Sequence, residues 1–344
     1  MKRALVTGGS GFLGSLLVRR LLDAGWAVWN IDLQPDEQRD ANLTSVQGDI
    51  RDAMLVDRLF EQNHFDVVFH VAAILAHGKV DEKFLWSSNV DGTKTIAAAA
   101  SKHGVAKVVY TSSNCLWAEA FGRPVREDDE PRPIELYGVS KWEGEKILLA
   151  QSEVNCVVVR CPTIIDAGRL GLLSILFEFI DDGRKIWVVG DGSNRYQFIY
   201  AQDLITALLR ASEYGQTALF GIGSENVKAL RDVYGYVIDK AGSRSRVASL
   251  PKNLAIPAMK LAHKLKVSPL GPYHYKMIAE DFSFDISKIK RELHWVPTLT
   301  NEEMLFRAYE YYSSNRKEIG ARTDVSAHKQ SAAMGIIRLL KWVS

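Results

Sequence analysis

The sequence predicts an α/β chain: a doubly wound parallel sheet carrying a smaller C-terminal α/β domain. Three observations predict it. Short, continuous apolar runs such as those at 66–72 (DVVFHVA) and 155–160 (NCVVVR) alternate with helical segments, the pattern of strands covered on both faces. A glycine-rich turn at 8–14 joins the first strand to the first helix. After Arg160 the regular alternation weakens, as expected where a second unit begins.

Taken in order, Arg3–Thr7 reads as a strand, 12–24 as an amphipathic helix ended by Gly25, and Ala27–Asp32 as a second strand. Strands follow at 66–72, 107–111 and 155–160, separated by helical stretches around 54–61 and 90–103. The right-handed crossover rule makes this a doubly wound sheet. Beyond it come a helix at 170–181, a strand at Ile186–Val189 with a Gly190-Asp191-Gly192 turn, a strand at Phe198–Tyr200 and a helix at 203–212. Residues 219–221 return toward the sheet, and 227–312 mix helices with short strands and five prolines. The expected division is a nucleotide-binding domain at 1–165 to which 196–222 return, a cap at 166–195 and 223–312, and a polar tail at 313–344.

Composition narrows the function classes. Hydrophobic residues make up 47% and charged residues 24%, ordinary for a soluble globular chain. A net charge of +2 gives no field suited to a polyanion, so no nucleic acid is expected as partner. Cys115, Cys156 and Cys161 form no CxxC pair, which fits a reduced chain without a zinc ribbon, and no metal is expected. With neither a signal-like start nor an apolar run of about 18 residues, a cytoplasmic protein is expected.

The turn Gly8-Gly9-Ser10-Gly11-Phe12-Leu13-Gly14 follows a strand and opens a helix, the context that gives such glycines meaning. Gly8 permits the tight turn, Gly11 lets backbone approach a pyrophosphate, and Gly14 allows close helix–strand packing. Phe12 and Leu13 lie in the first helical turn, whose N–H groups face the phosphates. Asp32 ends the second strand, where its carboxylate accepts hydrogen bonds from the adenosine ribose hydroxyls. Leu33 and Gln34 follow, not an arginine, and a 2′-phosphate would meet Asp32 with like-charge repulsion. NAD is the expected cofactor.

Tyr137 and Lys141 stand four apart in Tyr137-Gly138-Val139-Ser140-Lys141 and share a helix face. A nearby ammonium lowers a phenol's pKa and fits it for proton transfer near neutrality. With these residues the chain resembles an extended short-chain dehydrogenase/reductase, in the sugar-nucleotide epimerase and dehydratase branch. The likeness runs from residue 2 to about 312 and includes Gly48-Asp49-Ile50-Arg51-Asp52, His70-Val71-Ala72-Ala73 and Asn89-Val90-Asp91-Gly92-Thr93. It continues through Tyr110-Thr111-Ser112-Ser113, Arg160-Cys161-Pro162, Gly190-Asp191-Gly192, Phe198-Ile199-Tyr200 with Asp203-Leu204, and Phe284-Asp285-Ile286-Ser287-Lys288.

The resemblance implies roles. Asp49 and Ile50 would hold the adenine, and Ala72 and Ala73 would pack on the cofactor. Asn89 would stabilise the active-site helix, or serve as a helix cap. Ser113, with Ser112 as the neighbouring alternative, would hydrogen-bond the substrate oxygen being oxidised. Tyr137 would be the general base, Lys141 would bind the nicotinamide ribose, and Pro162 and Thr163 would border the carboxamide. The family's 4,6-dehydratases carry an Asp-Glu pair after the catalytic Ser/Thr, but Asn114 and Cys115 stand here, so dehydration is disfavoured, and a decarboxylase reading is weakened too. Leu116-Trp117-Ala118 replaces the usual Val-Tyr-Gly, and residues 163–168 (TIIDAG) replace an Asn-x-Tyr-Gly-like stretch. Arg195 lies one register from the usual diphosphate-contacting position, so Asn114 and Arg195 are the remaining substrate contacts to weigh.

The expected function is therefore NAD-dependent epimerisation of a nucleotide sugar through a transient keto intermediate. The alternative is an NAD(P)-dependent alcohol dehydrogenase or ketone reductase of the hydroxysteroid-dehydrogenase-like branch. A non-catalytic NAD sensor stands third. The resemblance also implies a homodimer. In the tail, Ile336, Ile337, Leu340 and Val343 gather on one side of a short basic helix. It suits a peripheral membrane contact, or docking on a partner or on its own subunit.

Overall fold

In a computed structural model, residues 1–75, 81–117, 121–265 and 272–321 are described. Seven parallel strands form the main sheet: β1 (Arg3–Thr7), β2 (Ala27–Asp32), β3 (Leu43–Gln47), β4 (Val67–His70), β5 (Lys107–Ser113), β6 (Asn155–Cys161) and, later in the chain, β10 (Ala218–Gly221). Their order is β10-β6-β5-β4-β1-β2-β3, a Rossmann-like sheet. The chain winds outward from β1 to β3, returns to β4 on the other side of β1, and winds outward again. That reversal leaves a crevice beyond the carboxyl ends of β1 and β4, where such sheets bind ligands.

Alternation along each strand builds two cores. Ala4, Val6, Phe69, Val109, Val157 and Val159 pack on one face, against α1 (Phe12–Asp23), α7 (Ala201–Glu213) and α11 (Ser287–Glu292). Leu5, Val68, Val108, Tyr110, Cys156 and Val158 pack on the other, against α2 (Ala53–Gln62), α4 (Gly92–Lys102) and α5 (Leu136–Leu149). All of these strand side chains are buried, each worth about 1.5–3 kcal/mol for the larger aliphatic and aromatic ones.

β3 answers no expectation from the sequence. LTSVQ is short, polar and half exposed, an edge strand held by pairing with β2 from Val28↔Leu43 to Asp32↔Gln47. The helix expected at 90–103 begins earlier. The short helix α3 (Glu82–Trp86) runs through a π-helical turn at Ser87–Asp91 into α4, and Gly92 N–H donates to Ser87 C=O across five residues.

A third core belongs to the remaining elements. It gathers Phe177, Ile180, Val233, Val237, Leu305 and Tyr312 among others, from α6 (Leu173–Asp181), α8 (Leu230–Lys240) and α12 (Asn301–Ala321). β7 (Thr163–Ile165) pairs with β9 (Phe198–Tyr200), and β8 (Ile186–Val189) with β11 (Val247–Leu250), as separate two-stranded sheets. Of residues 196–222, β10 thus joins the large sheet while β9 lies outside it. α9 (Lys252–Lys264) and α10 (Pro272–Ala279) complete this part. α12 carries the first residues of the expected polar tail as helix to Ala321. The amphipathic helix expected around 334–344 lies outside the described residues. No helix among the described residues is long and apolar enough to cross a membrane.

Candidate active site

The Gly8–Gly14 turn sits in the crevice between β1 and β4. Gly8 has φ +77°, and a Cβ there would lie 2.8 Å from Ala72 Cα. A Cβ on Gly14 would lie 2.0 Å from the Gly8 carbonyl oxygen, so α1 starts in direct contact with the turn. Gly9, which spacing did not single out, is equally confined. Its N–H donates to Asn30 Oδ1 at 2.8 Å, and a Cβ would strike that side chain at 2.3 Å. Gly11 differs: only the Gly8 carbonyl oxygen, at 3.2 Å, comes within 4 Å of a Cβ there. It also N-caps α1 without a side-chain hydrogen bond, which leaves the helix's first N–H groups to a ligand. Phe12 is buried and Leu13 half-buried.

Asp32 stands beside this turn. Its Oδ2 accepts from Ser10 N–H at 3.0 Å and its Oδ1 from Gln34 N–H at 2.9 Å. Burial, the largest influence, pushes its pKa up, while those donors pull the other way. Asp49 is engaged by its neighbour. Arg51 Nη2 reaches its Oδ2 at 2.6 Å and Arg51 Nε bonds both oxygens, which holds the carboxyl below its ordinary value. Arg51 also stacks on Phe84, 4.7 Å from its centroid, and donates to Ser87 Oγ. Ile50 is buried against Gly92, where a Cβ would lie 2.6 Å from Ile50 Cδ1.

The π-helical turn has a local consequence, in keeping with the frequent use of such bulges at functional sites. Within it sits Asn89, which is buried. Its Oδ1 accepts from Ile74 N–H at 2.7 Å, and its Nδ2 donates to Ile74 C=O and Ser140 Oγ, each at 3.0 Å. Asn89 thus ties the segment after β4 to α5, the helix carrying Tyr137 and Lys141. The start of α5 is pressed against the turn after β5, since a Cβ on Gly138 would lie 2.3 Å from the Cys115 carbonyl oxygen. In that turn Ser113 Oγ accepts from Cys115 N–H at 3.1 Å, which leaves its own O–H to donate.

Tyr137 is half-buried in the first turn of α5, and Lys141 is 2% exposed one turn on. The Lys141 ammonium lies 4.0 Å from the centroid of the Tyr110 ring, which stacks on His70. His70 bridges Thr7 Oγ1 at 2.7 Å and Thr93 Oγ1 at 2.9 Å. Burial, helped by the Lys141 charge, pushes its pKa down to about 3, so the ring is neutral. Burial likewise pulls Lys141 down to about 7 from 10.5. Between these values the unfolded chain binds more protons than the folded one, so stability rises with pH across that window. In melts of cofactor-free protein, Tm is expected to climb from pH ~7 to ~9 by less in Lys141→Met than in the wild type; parallel slopes would refute this.

Behind α5 lies a buried ion pair. Arg160 Nη2 meets Glu145 Oε2 at 2.7 Å, with both side chains at most 5% exposed. Arg160 also donates to Glu127 C=O at 3.1 Å and lies 4.9 Å from the Trp117 centroid. These partners keep both buried charges satisfied and pin α5 to β6.

The remaining expected contacts divide. Pro162 is buried and Thr163 half-buried where β6 passes into β7, and Thr163 Oγ1 donates to Met277 Sδ at 3.7 Å. Ala72 and Ala73 follow β4, and Ala72 N–H donates to Thr7 Oγ1 at 3.2 Å. Ser112 is buried in β5, its Oγ without a hydrogen-bond partner among the described residues. Asn114 Nδ2 donates to Tyr196 Oη, joining the turn after β5 to the third core. Arg195 is exposed, and its Nη1 donates to Val227 C=O at 3.3 Å. Its backbone bonds Asp281 and Phe282. Arg169, outside the expected set, lies 5.7 Å from the Phe12 ring centroid. A cation there stands beside the α1 N-terminus, and only folding brings together residues so far apart in sequence.

Chemically, the turn fits a dinucleotide: the open side of Gly11 is the space a Cβ would fill, and the uncapped start of α1 offers N–H donors. Ser113, Tyr137 and Lys141 add a hydroxyl donor, a phenol and a buried amine close by. The profile of the NAD dependent epimerase/dehydratase family matches residues 4–223. The chain is 36% identical over 345 residues, 99% of its own length and 86% of the other, to the uncharacterized protein y4nG of Sinorhizobium fredii. It is 32% identical over 262 residues, 70% of this chain and 83% of the relative, to a UDP-glucose 4-epimerase of Mycolicibacterium smegmatis. A 3 beta-hydroxysteroid dehydrogenase/Delta 5-->4-isomerase of Mycobacterium tuberculosis is 28% identical over 96% of this chain and 95% of its own. In fold, the chain resembles the UDP-glucose 4-epimerase of Thermotoga maritima solved with UDP-glucose. The TM-score is 0.75 at 23% identity, covering 91% of this chain and 99% of that one.

Proposed function

This chain belongs to the NAD dependent epimerase/dehydratase family, and within it we propose a nucleotide-sugar epimerase acting through a transient keto intermediate. It is an NAD-dependent enzyme, as the family is. What carries the finer reading is a set of groups suited to oxidation, with no acid at the two positions that follow Ser113. Ser113 is followed by Asn114, whose amide is engaged with Tyr196, and by Cys115, so neither of these two positions offers a carboxylate to expel water.

In this reading Ser113 donates a hydrogen bond to the substrate oxygen and keeps its proton. Tyr137 takes the proton from the substrate hydroxyl as the carbonyl forms, then returns it when the alcohol is restored with inverted configuration. Lys141, in its charged form, stabilises the Tyr137 phenolate and binds the nicotinamide ribose. Gly8, Gly11, Phe12, Leu13 and Gly14 hold the pyrophosphate, and Arg169 adds a guanidinium beside it. Asp32 takes the adenosine ribose and Asp49 and Ile50 the adenine side. Ala72, Ala73, Pro162 and Thr163 line the nicotinamide side, and Asn89 positions α5. When bound, NAD supplies the hydride acceptor and, on the return, the donor. A homodimer and a cytoplasmic setting go with this reading.

Supplied with UDP-hexoses and no added cofactor, the purified protein is expected to interconvert epimers, followed by proton NMR, with no net accumulation of NADH. Stoichiometric NADH with an oxidised product would instead support net alcohol dehydrogenation. That second reading draws on the likeness to the hydroxysteroid dehydrogenase over 96% of the chain. The engagement of Arg195 with the Val227 carbonyl also favours it.

A further inference from the structure

We propose that α9 is an interfacial helix that lays its leucine edge on an anionic lipid surface. Nine large hydrophobic side chains are exposed among the described residues, and Leu254, Leu261 and Leu265 at this one helix account for three, at 66%, 59% and 62%. At about 100° per residue they fall, with exposed Ala258, in a stripe about 60° wide. The opposite side, Ala255, Ile256, Met259 and Ala262, is buried or half-buried. The outward leucines are therefore a second apolar face, beyond the one that anchors the helix.

Charge identifies the occupant. Residues 252–265 hold three lysines and one histidine and no acid. Lys260 and Lys264, both exposed, project about 80–120° to one side of the leucine stripe. There their ammonium groups reach lipid phosphates while their stems lie along the apolar boundary. An apolar stripe flanked by lysines without acids complements an anionic bilayer.

The placement links this surface to the active site. Tyr275 of α10 donates to the Met259 carbonyl of α9 at 3.1 Å, and Met277 of α10 accepts from Thr163. Lys252 of α9 donates to Ala279 C=O at 3.0 Å. A docked α9 thus sets the cap, and the mouth beside Thr163, at the lipid surface.

The test is co-sedimentation of the full-length protein with vesicles of phosphatidylglycerol and phosphatidylcholine, against phosphatidylcholine alone. Binding is expected only to the anionic vesicles, weakening as salt is raised. The variant Leu254→Ser/Leu261→Ser/Leu265→Ser is expected to bind about tenfold more weakly or worse. Because these side chains are exposed, its NAD content and Tm report an intact fold. A wild type that stays in the supernatant overturns the proposal, whether residues 322–344 or a second copy covers the face. So does a triple variant that sediments like the wild type, or one that loses a dimer in size-exclusion chromatography while vesicle binding is unchanged. Because α9 lies outside the proposed catalytic residues, failure here leaves the epimerase reading standing.

Discussion

Tyr137→Phe is expected to lower kcat by about 100- to 10,000-fold, the usual worth of a positioned acid–base group, while bound NAD is unchanged. The substitution keeps the ring, half-buried at the start of α5, and removes only the hydroxyl. Other contacts brace the frame around it: Asn89 holds Ser140, Gly138 packs on the Cys115 carbonyl, and Glu145 holds Arg160. A structural role for Tyr137 would lower Tm and NAD content together with kcat. A variant with ordinary NAD content and Tm that keeps wild-type turnover would remove Tyr137 from the chemistry. Lys141 is a poorer first probe because it is buried against Tyr110, so its removal mixes catalysis with packing.

The second large effect is expected at Gly14. A Cβ there would lie 2.0 Å from the Gly8 carbonyl oxygen and 2.7 Å from Gly9 Cα. Both are backbone atoms of the turn itself, so no side-chain rotation relieves the overlap. Gly14→Ala must push α1 off the turn, displacing the N–H groups that would meet the pyrophosphate. Overpacking of this kind costs about 1–3 kcal/mol. The protein is expected to purify with roughly a tenth of the wild-type NAD or less, read by chromatography after denaturation, a loss of at least about 1.4 kcal/mol in binding. Gly11→Ala is the graded comparison: Gly11 has φ −71° and one neighbour, the Gly8 carbonyl oxygen at 3.2 Å, so a methyl asks far less movement of the turn than at Gly14 and mainly narrows the ligand's approach. Wild-type NAD content in Gly14→Ala would contradict this geometry.

Much of the sheet was legible from the chain. β1, β2, β8 and β9 coincide with the strands read from the sequence, because apolar period and bounding turns are contained within a few residues. β4, β5 and β6 differ only at their ends, where hydrogen bonding to a neighbour decides the last residue. β3 was invisible because an edge strand needs only one buried partner and so carries no continuous apolar run. The helix before the catalytic turn was read too short, since no periodicity announces a π-helical turn. Tyr137 and Lys141 were found through a local spacing, whereas Arg169 was missed because its relation to Phe12 spans distant elements.

By itself, then, the sequence determined the parallel α/β order, the confined glycines of the first turn, the acid at the end of β2 and a Tyr–Lys pair on one helix face. Each rests on backbone geometry or period within about ten residues. Tertiary structure alone decided the rest. It buried Lys141 against Tyr110 and pulled its amine toward neutrality, gave Asn89 to Ile74 and Ser140, engaged Asn114 with Tyr196, and turned the leucines of α9 outward. Desolvation and the choice of hydrogen-bond partner depend on which distant elements pack around a side chain, and no local pattern records that.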